Sequence, residues 1–205
     1  MIYDVLRILK KEIGDYLKDE NLVVLDNIAK AEDASNTSLN DKVIVTLLST
    51  EEESILKNTP RHEVKNGTKI YKSGAAYLNV YMMVAANRST YEKSLQSISK
   101  VVEFFQDKSI FTNNNTDTSI FTQGEADPQI EEFKFMVDLK SLRIEELSYA
   151  WTVLGGRTMP SALYKVSIVK VQRQKVKGKG PAITTIQETA LNLTKNLTEN
   201  FTENE

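Results

Sequence analysis

The chain has no cysteine and only one histidine among its 205 residues. Without a thiol it can form no disulfide, thiolate metal site or cysteine nucleophile, and this composition suits a reducing cytoplasm. His62 alone does not complete a usual zinc site, and a Ser-His-Asp triad could use only this histidine. The motifs G-x-S-x-G, G-x-G-x-x-G and G-x-x-x-x-G-K-S/T are also missing. We therefore expect a protein that is not an enzyme and that uses no metal or cofactor.

The chain also lacks a strong excess of charge and a long apolar run. Its formal net charge is -2, which gives no whole-chain case for nucleic acid or an anionic membrane as the partner. No apolar run approaches the length of about 18 residues that spans a bilayer. The first residues, MIYDVLRILKKEIGDYL, mix charges into an apolar stripe and do not resemble a signal peptide. We expect no membrane insertion.

Apolar residues that alternate or run together predict a set of strands. The predicted strands cover residues 22–25, 43–49, 78–84, 133–139 and 163–171, and Asn66-Gly67 predicts a hairpin over residues 64–71. The strands at 43–49 and 78–84 are apolar on both faces, which is typical of central strands covered on two sides. Glu51, Glu52 and Glu53 follow the second strand, where we expect a solvated acidic turn.

Helical spacing predicts three helices that cover the sheet. The first spans residues 2–18, the second opens at Ser89, and the third carries the only tryptophan, Trp151. Ser89 with Glu92 three residues later predicts a capping box, and Gly155-Gly156 predicts the end of the third helix. The expected buried stripe of the second helix is Leu95, Ile98, Val102 and Phe105, and that of the third is Ile144, Leu147, Trp151 and Leu154.

These elements predict an α/β (α+β) domain over residues 1–172, in which amphipathic helices cover a mixed, mostly antiparallel sheet. Residues 173–205 are expected to form a basic linker followed by a C-terminal arm. The basic run fits a solvated linker, or an electrostatic contact with an acidic protein partner. The arm has helical apolar spacing but weak helix formers, so we expect it to order against a partner. The candidate protein-contact residues are Lys170, Arg173, Lys175, Lys177, Leu193, Leu197 and Phe201.

Three segments, in their order along residues 1–172, carry a family resemblance. They are MIYDVLRILKKEI with VIVTLLSTEEESILKNTP, then AYLNVYMMVAANRSTYEKSLQSISKVVEFFQDKSIFT, then LSYAWTVLGGRTMPSALYKVSIVKV. The order of L-N-V-Y, A-A-N, F-F-Q, W-x-x-L-G-G and P-S-x-x-Y resembles the cap, or tail-terminator, proteins of phage-tail-like contractile injection systems. The relatives are of the Photorhabdus virulence cassette and antifeeding prophage type. The chain departs from that pattern at Arg157-Thr158-Met159, where the family resemblance leads us to expect an aromatic residue.

The resemblance implies a structural role. Such a cap forms a ring, expected to be a homo-hexamer, on the last layer of inner tube and contractile sheath at the end distal to the baseplate. It stops polymerisation, and its partners are the tube and sheath proteins. Assembly would take place in the cytoplasm, and the protein would then be part of the particle, whether released outside the cell or kept within it.

Other functions stay open on the sequence alone. Another ring or connector component of a phage-like tail would show nearly the same features. A small nucleic-acid-binding module could use the basic segment, although that segment lacks interleaved aromatic residues and salt-dependent binding would be needed to support it. Acidic residues alone give no support to an enzyme with a carboxylate site.

Overall fold

A computed structural model describes residues 2–33, 36–53, 62–65, 68–72, 76–117, 133–171 and 176–181. The chain divides into two compact units, one of Met1–Thr59 with Gly74–Gln174 and one of Pro60–Ser73 with Lys175–Glu205. In chain order the helices and strands are α1 (Ile2–Leu17), β1 (Val23–Leu25), β2 (Lys42–Glu52), β3 (His62–Lys65), β4 (Thr68–Lys72), β5 (Ala76–Asn87), α2 (Tyr91–Asp107), β6 (Ile110–Thr112), β7 (Lys134–Leu139), α3 (Ile144–Val153), β8 (Ser161–Val171) and β9 (Val176–Pro181).

The first unit is built on a six-stranded sheet with the order β1-β2-β5-β8-β7-β6. β1 runs parallel to β2, and every other neighbouring pair in this sheet is antiparallel. The predicted α+β class with a mixed, mostly antiparallel sheet is therefore confirmed. β2 and β5 have apolar residues on both faces, as predicted, because helices and turns cover the sheet on both sides.

Two apolar clusters lie on opposite faces of this sheet. One contains the buried sides of α1 and α2, and it takes Val80, Met82 and Val84 from β5. The other contains Trp151 of α3 and residues of two short 3-10 turns, and it takes Met83 from β5. Successive residues of a strand point to opposite faces, so Met82 and Met83 enter different clusters. Trp151 is 3% exposed and belongs to the core, as its place in the expected buried stripe of the third helix predicts.

The first helix forms as predicted, with a buried apolar stripe facing the sheet. Its outer side is tied to the turn after α2 by an ion pair, in which Lys108 Nζ lies 2.6 Å from Glu12 Oε2. Lys108 also donates to the Asn115 carbonyl at 2.6 Å. Both charged side chains are partly buried, so this contact fixes α1 against the segment that leads into β6.

The second helix corrects two predictions. Its N-cap is Thr90, whose hydroxyl accepts from the Lys93 N–H at 3.3 Å, and not Ser89. Its buried side consists of Ser94, Ser97, Val101, Phe104 and Phe105, so Leu95 is exposed and Ile98 and Val102 are only half-buried. The centroid of the Phe104 ring lies 5.3 Å from that of the Tyr16 ring of α1.

The third helix ends as predicted, but the first part of its expected buried stripe is exposed. Gly155 and Gly156 follow it with φ angles of 105° and 87°, which glycine adopts without the steric cost that a Cβ would bring. Ile144, predicted to be buried, is 80% exposed at the first turn of the helix. Leu147, also predicted to be buried, is 37% exposed, so Trp151 is the residue of the predicted stripe that α3 buries fully.

The second unit is a three-stranded antiparallel sheet with the order β3-β4-β9. The predicted hairpin is confirmed by the register, which pairs Lys65 with Thr68. β9 is a strand where the sequence predicts part of a linker, because β4 supplies the pairing partner that the local sequence does not reveal. It lies at the edge of this sheet, and an edge position tolerates its Pro181. The boundary between a domain and an arm at residue 172 stays a prediction.

Candidate protein-interaction surface

The outer edge of β2 is largely uncovered in the described part of the chain. β1 pairs with only three residues of β2, ending at Val45, whereas β2 continues to Glu52. We call residues 47–52 the β2 lane. Unpaired strand edges are ready-made sites for pairing with another chain, so such a length of open edge is a candidate contact surface.

Thr46 explains why β1 stops. Its Oγ1 donates to the Asp26 carbonyl at 2.7 Å and accepts from the Ile28 N–H at 3.1 Å. Asn27 then caps a 3-10 turn by accepting from the Ala29 N–H. These contacts draw the chain out of the line of β1 and onto the face of the sheet, so β1 pairs with β2 only as far as Val45.

The hydrogen bonds next to β1 show which backbone groups of β2 point outward. The Val43 N–H donates to the Leu22 carbonyl at 2.9 Å, and the Val45 carbonyl accepts from the Asp26 N–H at 3.2 Å. Backbone groups alternate in direction along a strand. The N–H and carbonyl of Leu47 therefore also point away from β5, toward the open side.

The direction of the backbone groups at the C-terminal end of the lane follows from the hydrogen bonds between β2 and β5. The ladder is irregular just after Leu47, and beyond that point the Glu53 N–H donates to the Tyr77 carbonyl of β5 at 2.8 Å. Counting back from Glu53, the backbone groups of Glu52 and Thr50 face away from β5. The backbone groups of Leu47, Thr50 and Glu52 therefore point away from β5.

An apolar groove lies at the start of the lane. It measures about 670 Å³, and α1, the end of β1, the start of the lane and the end of α3 form its walls. Leu47 is 42% exposed and Val153 is 84% exposed, although both are aliphatic. The main apolar side chains of the groove are Ile2, Leu6, Leu25, Leu47, Val153 and Leu154.

The other end of the lane is acidic. Tyr81 Oη donates to Glu51 Oε2 at 3.0 Å, and Asn79 Nδ2 donates to Glu53 Oε2 at 3.0 Å. The hydrogen bond to Glu51, with burial and the charges of Glu51 and Glu53, raises the pKa of the Tyr81 hydroxyl. Together with Glu52, these carboxylates give that end of the lane a negative charge. The predicted acidic turn is instead a continuation of the strand through Glu52.

A second exposed apolar surface lies at the other end of the strand order. Ile110 of β6 and Met136 of β7 are register partners, and they are 44% and 40% exposed. The alternation of β7 predicts Met136 as an outward residue, but the sequence does not reveal that an isoleucine lies beside it. The described part of the first unit therefore exposes apolar side chains both on the β2 side of the sheet and on the β6 side.

Two of the candidate contact residues predicted from the sequence lie in described strands. Lys170 belongs to β8 and is the register partner of Tyr77 in β5. Lys177 belongs to β9 and lies where the register between β9 and β4 shifts by one residue. The other candidates lie outside the described residues: Arg173, Lys175, Leu193, Leu197 and Phe201. Sequence reasoning missed the β2 lane, because the alternation of a strand shows its faces but not which of its edges is paired.

The described ranges contain no group of side chains arranged as a metal site. Within them, no three histidine, cysteine or carboxylate residues come together as metal ligands would. No helix in the described part of the chain is both long and apolar enough to cross a bilayer. The described surface offers strand edges and apolar side chains, which suit contacts with proteins.

Residues 4–185 of the chain match the family described as the Pvc16 N-terminal domain. The chain belongs to this family. No curated protein is similar enough in sequence to count as a match.

Two solved structures are similar in fold to this Pvc16 N-terminal domain protein. One is the sheath/tube terminator of PVC, an extracellular contractile injection system, in its extended state, with 14% sequence identity and a TM-score of 0.59. This likeness covers 92% of the chain and 62% of the terminator, so the chain spans less than two thirds of that protein. The other is the tube-terminating cap of the anti-feeding prophage, also at 14% identity and a TM-score of 0.59, with 97% of this chain and 68% of the cap covered.

Proposed function

We propose that this chain is a terminator that caps the inner tube and sheath of a contractile injection particle. The observation that carries the proposal is a fold shared, over nearly the whole chain, with two proteins that are themselves a sheath/tube terminator and a tube-terminating cap. Membership of the Pvc16 N-terminal domain family supports the same role. The protein acts by binding, not by catalysis, and its partners are the tube and sheath proteins.

The proposed working form is a closed homo-hexameric ring. A head-to-tail ring needs two different surfaces on each subunit that fit one another. The first unit supplies two distinct exposed apolar surfaces, the groove beside Leu47 and the pair of Ile110 and Met136. Assembly takes place in the cytoplasm, and the ring then remains part of the particle, including after release from the cell.

The C-terminal segment is proposed to strengthen capping. Residues 173–205 carry the candidate contact residues beyond β8, and β9 lies at the edge of its sheet. Two truncations separate the parts of this segment. Removing residues 182–205 keeps β9, whereas removing residues 173–205 also takes the pairing partner from β4. If the arm caps, the shorter truncation already weakens capping while the circular dichroism spectrum and the melting temperature stay unchanged.

Particle length tests the proposed function. In a host that makes the particles, loss of this chain should give tubes of irregular length without a cap, as seen by negative-stain electron microscopy. Supplying the chain again should restore uniform length, and a label on it should lie at the particle end distal to the baseplate. A label at another position would favour a connector role, and normal particles without the chain would refute the proposal.

The mass of the purified protein tests the ring separately. Light scattering should give six times the chain mass of 23.2 kDa, either alone or after tube ends are added. A nucleic-acid-binding module would instead show affinity for DNA or RNA that falls steeply as salt rises.

A further inference from the structure

We propose that the apolar groove beside Leu47 is the docking site for the C-terminal arm, residues 182–205, of a second copy of this chain. The choice of a second copy rests on the proposed function, because a closed ring needs a contact that passes from each subunit to the next. The groove and the apolar spacing of the arm are observations that do not depend on that function.

The wall of the groove suits apolar side chains. Leu47 and Val153 expose aliphatic surface there, and the volume of about 670 Å³ lies within the range of about 300–1,000 Å³ that is usual for binding pockets. Two polar residues of the wall are already engaged: Asp26 Oδ1 lies 2.6 Å from Lys30 Nζ, and Thr46 Oγ1 both donates and accepts. An apolar occupant would therefore leave these contacts intact.

The arm carries apolar residues at the spacing that a groove-bound helix uses. It follows β9, which ends at Pro181, and it lies outside the described residues. Its apolar line has members three or four residues apart: Ile186, Ala190, Leu193, Leu197 and Phe201. Helices that bind in apolar grooves place their anchors at such intervals.

The arm needs a surface against which to form that helix. Ten of its 24 residues are threonine or asparagine, which are weak helix formers. Short helices are marginal in water even with good helix formers, and most of their stability in proteins comes from burying one apolar face. As a helix, the stretch from Ile186 to Leu197 would be about 16 Å long. The groove offers apolar burial of the kind that this stretch requires.

Charge favours the same pairing. The arm contains four glutamates and one lysine. Lys10 lies one turn beyond Leu6 on α1, and Leu6 belongs to the wall of the groove. Asp26 is the carboxylate of the described wall, and Lys30 already neutralises it. An acidic arm therefore meets no unpaired carboxylate in the described wall, and the opposite charge of Lys10 assists its approach.

Introduced cysteines test the contact on the full chain, because the chain has none of its own. A Val153→Cys chain is mixed with a differently tagged Ala190→Cys chain, and disulfide formation under mild oxidation is followed on non-reducing gels. Both changes keep the larger apolar residues of the arm. This pair should link at least about ten-fold faster than two matched pairs. In one, Tyr91→Cys on α2, 70% exposed and outside the groove, replaces Val153→Cys. In the other, Asn192→Cys, on the opposite side of the expected helix, replaces Ala190→Cys.

A peptide keeps the test decisive if the purified chain is a monomer. A synthetic arm, residues 182–205 with Ala190→Cys, should link in the same way to the full-length Val153→Cys chain. The unmodified arm peptide should compete with this reaction. Leu193→Asp combined with Leu197→Asp in the competitor should weaken its competition at least about ten-fold, since both anchors would then carry a charge into an apolar groove.

A charge placed in the groove gives a second readout. Val153→Asp should weaken binding of a fluorescent arm peptide to the full chain at least about ten-fold, as measured by anisotropy. Tyr149→Asp is the matched control, because it lies on the same helix, is 73% exposed and is not part of the groove wall. It should bind the peptide like the parent. Both substituted positions are exposed, and circular dichroism checks that the fold persists.

A chain with both Val153→Cys and Ala190→Cys separates a second copy from the same copy. Docking between copies gives linked multimers at a rate that rises with protein concentration, whereas docking within one chain gives closed monomers at a rate that does not. Closure within single chains alone would overturn the proposal.

Two other results would also overturn it. One is that neither the Ala190→Cys chain nor its peptide links to Val153→Cys faster than the matched controls. The other is that Val153→Asp binds the peptide as tightly as Tyr149→Asp does. Particle length and label position do not enter these tests. A chain that fails them but still sets particle length loses this site and keeps the terminator role, and the converse result keeps the site and loses the role.

Discussion

Replacing Tyr164 by phenylalanine is expected to leave the protein at least as stable as the parent. The Tyr164 side chain is only 1% exposed, in the cluster beneath α1 and α2, and its hydroxyl has no hydrogen-bond partner among the described residues. A buried hydroxyl without a partner costs about 1–3 kcal/mol of desolvation. Its ring contributes packing, with the Phe105 ring centroid 4.5 Å away, and phenylalanine keeps that ring.

The expected gain is between zero and about 1 kcal/mol, since the unfolded chain also loses the hydration of the phenol. For a chain of this size, each kcal/mol moves the melting temperature by about 2–4 °C. Urea unfolding followed by circular dichroism gives the free energy directly. Tyr81→Phe is the matched control, because its hydroxyl bonds to Glu51 at 3.0 Å near the surface, and it should lose up to about 1 kcal/mol.

The pH dependence gives an independent check on the same residue. Burial raises the pKa of the Tyr164 hydroxyl above its ordinary value of about 10. As pH rises, the unfolded state loses this proton before the folded state does. The group therefore leaves the free energy of unfolding unchanged below pH about 10 and lowers it as pH rises above that value. Tyr164→Phe should therefore show a shallower loss of stability in alkaline solution than the parent. A loss of more than about 1 kcal/mol at neutral pH would mean that the hydroxyl is bonded, and would refute the reasoning.

Three further substitutions test the packing of the first unit by urea unfolding. Thr90→Ala should cost about 1 kcal/mol by removing the cap of α2, and Ser89→Ala should cost less; the opposite order would contradict the observed cap. Glu12→Gln should cost about 1–2 kcal/mol by leaving Lys108 partly buried without its ion pair, and a neutral effect would show that solvent screens the pair. Trp151→Ala should cost about 3–5 kcal/mol by emptying the core beneath α3, whereas a cost near zero would contradict the burial of the indole in that cluster.

The elements with strong periodicity could be predicted from the sequence. The stripe of α1 and the two-sided apolar runs of β2 and β5 depend on residues within a few positions of one another, and those elements formed where expected. Gly155 and Gly156 could likewise be placed after α3, since a left-handed backbone after a helix favours glycine in any fold.

The buried side of α2 could not be predicted in the same way. Leu95 belongs to the most hydrophobic stripe of that helix, yet the helix buries Ser94 and Ser97 and leaves Leu95 exposed. Its orientation depends on α1, which is more than 70 residues earlier in the sequence and receives Phe104 against Tyr16. Helix propensity and spacing are local, whereas the choice between two adjacent stripes depends on which neighbour fills the space.

β9 shows the same limit for strands. Its residues, VKGKGP, carry little apolar alternation and predict a linker. The strand forms because Thr68 to Lys72 lie opposite it as β4, and backbone pairing does not require apolar side chains.

The sequence by itself determined the strongly periodic elements, the apolar faces of α1, β2 and β5, and the α+β class, because those depend on the spacing of neighbouring residues. It also carried the order of motifs that resembles the tail terminators. Only the tertiary structure decided which strand edge stays open. The β2 lane exists because Thr46 holds Asp26 and Ile28 with its side chain and turns the chain away after β1. That contact joins positions about 20 residues apart in the sequence, so no local pattern could indicate it.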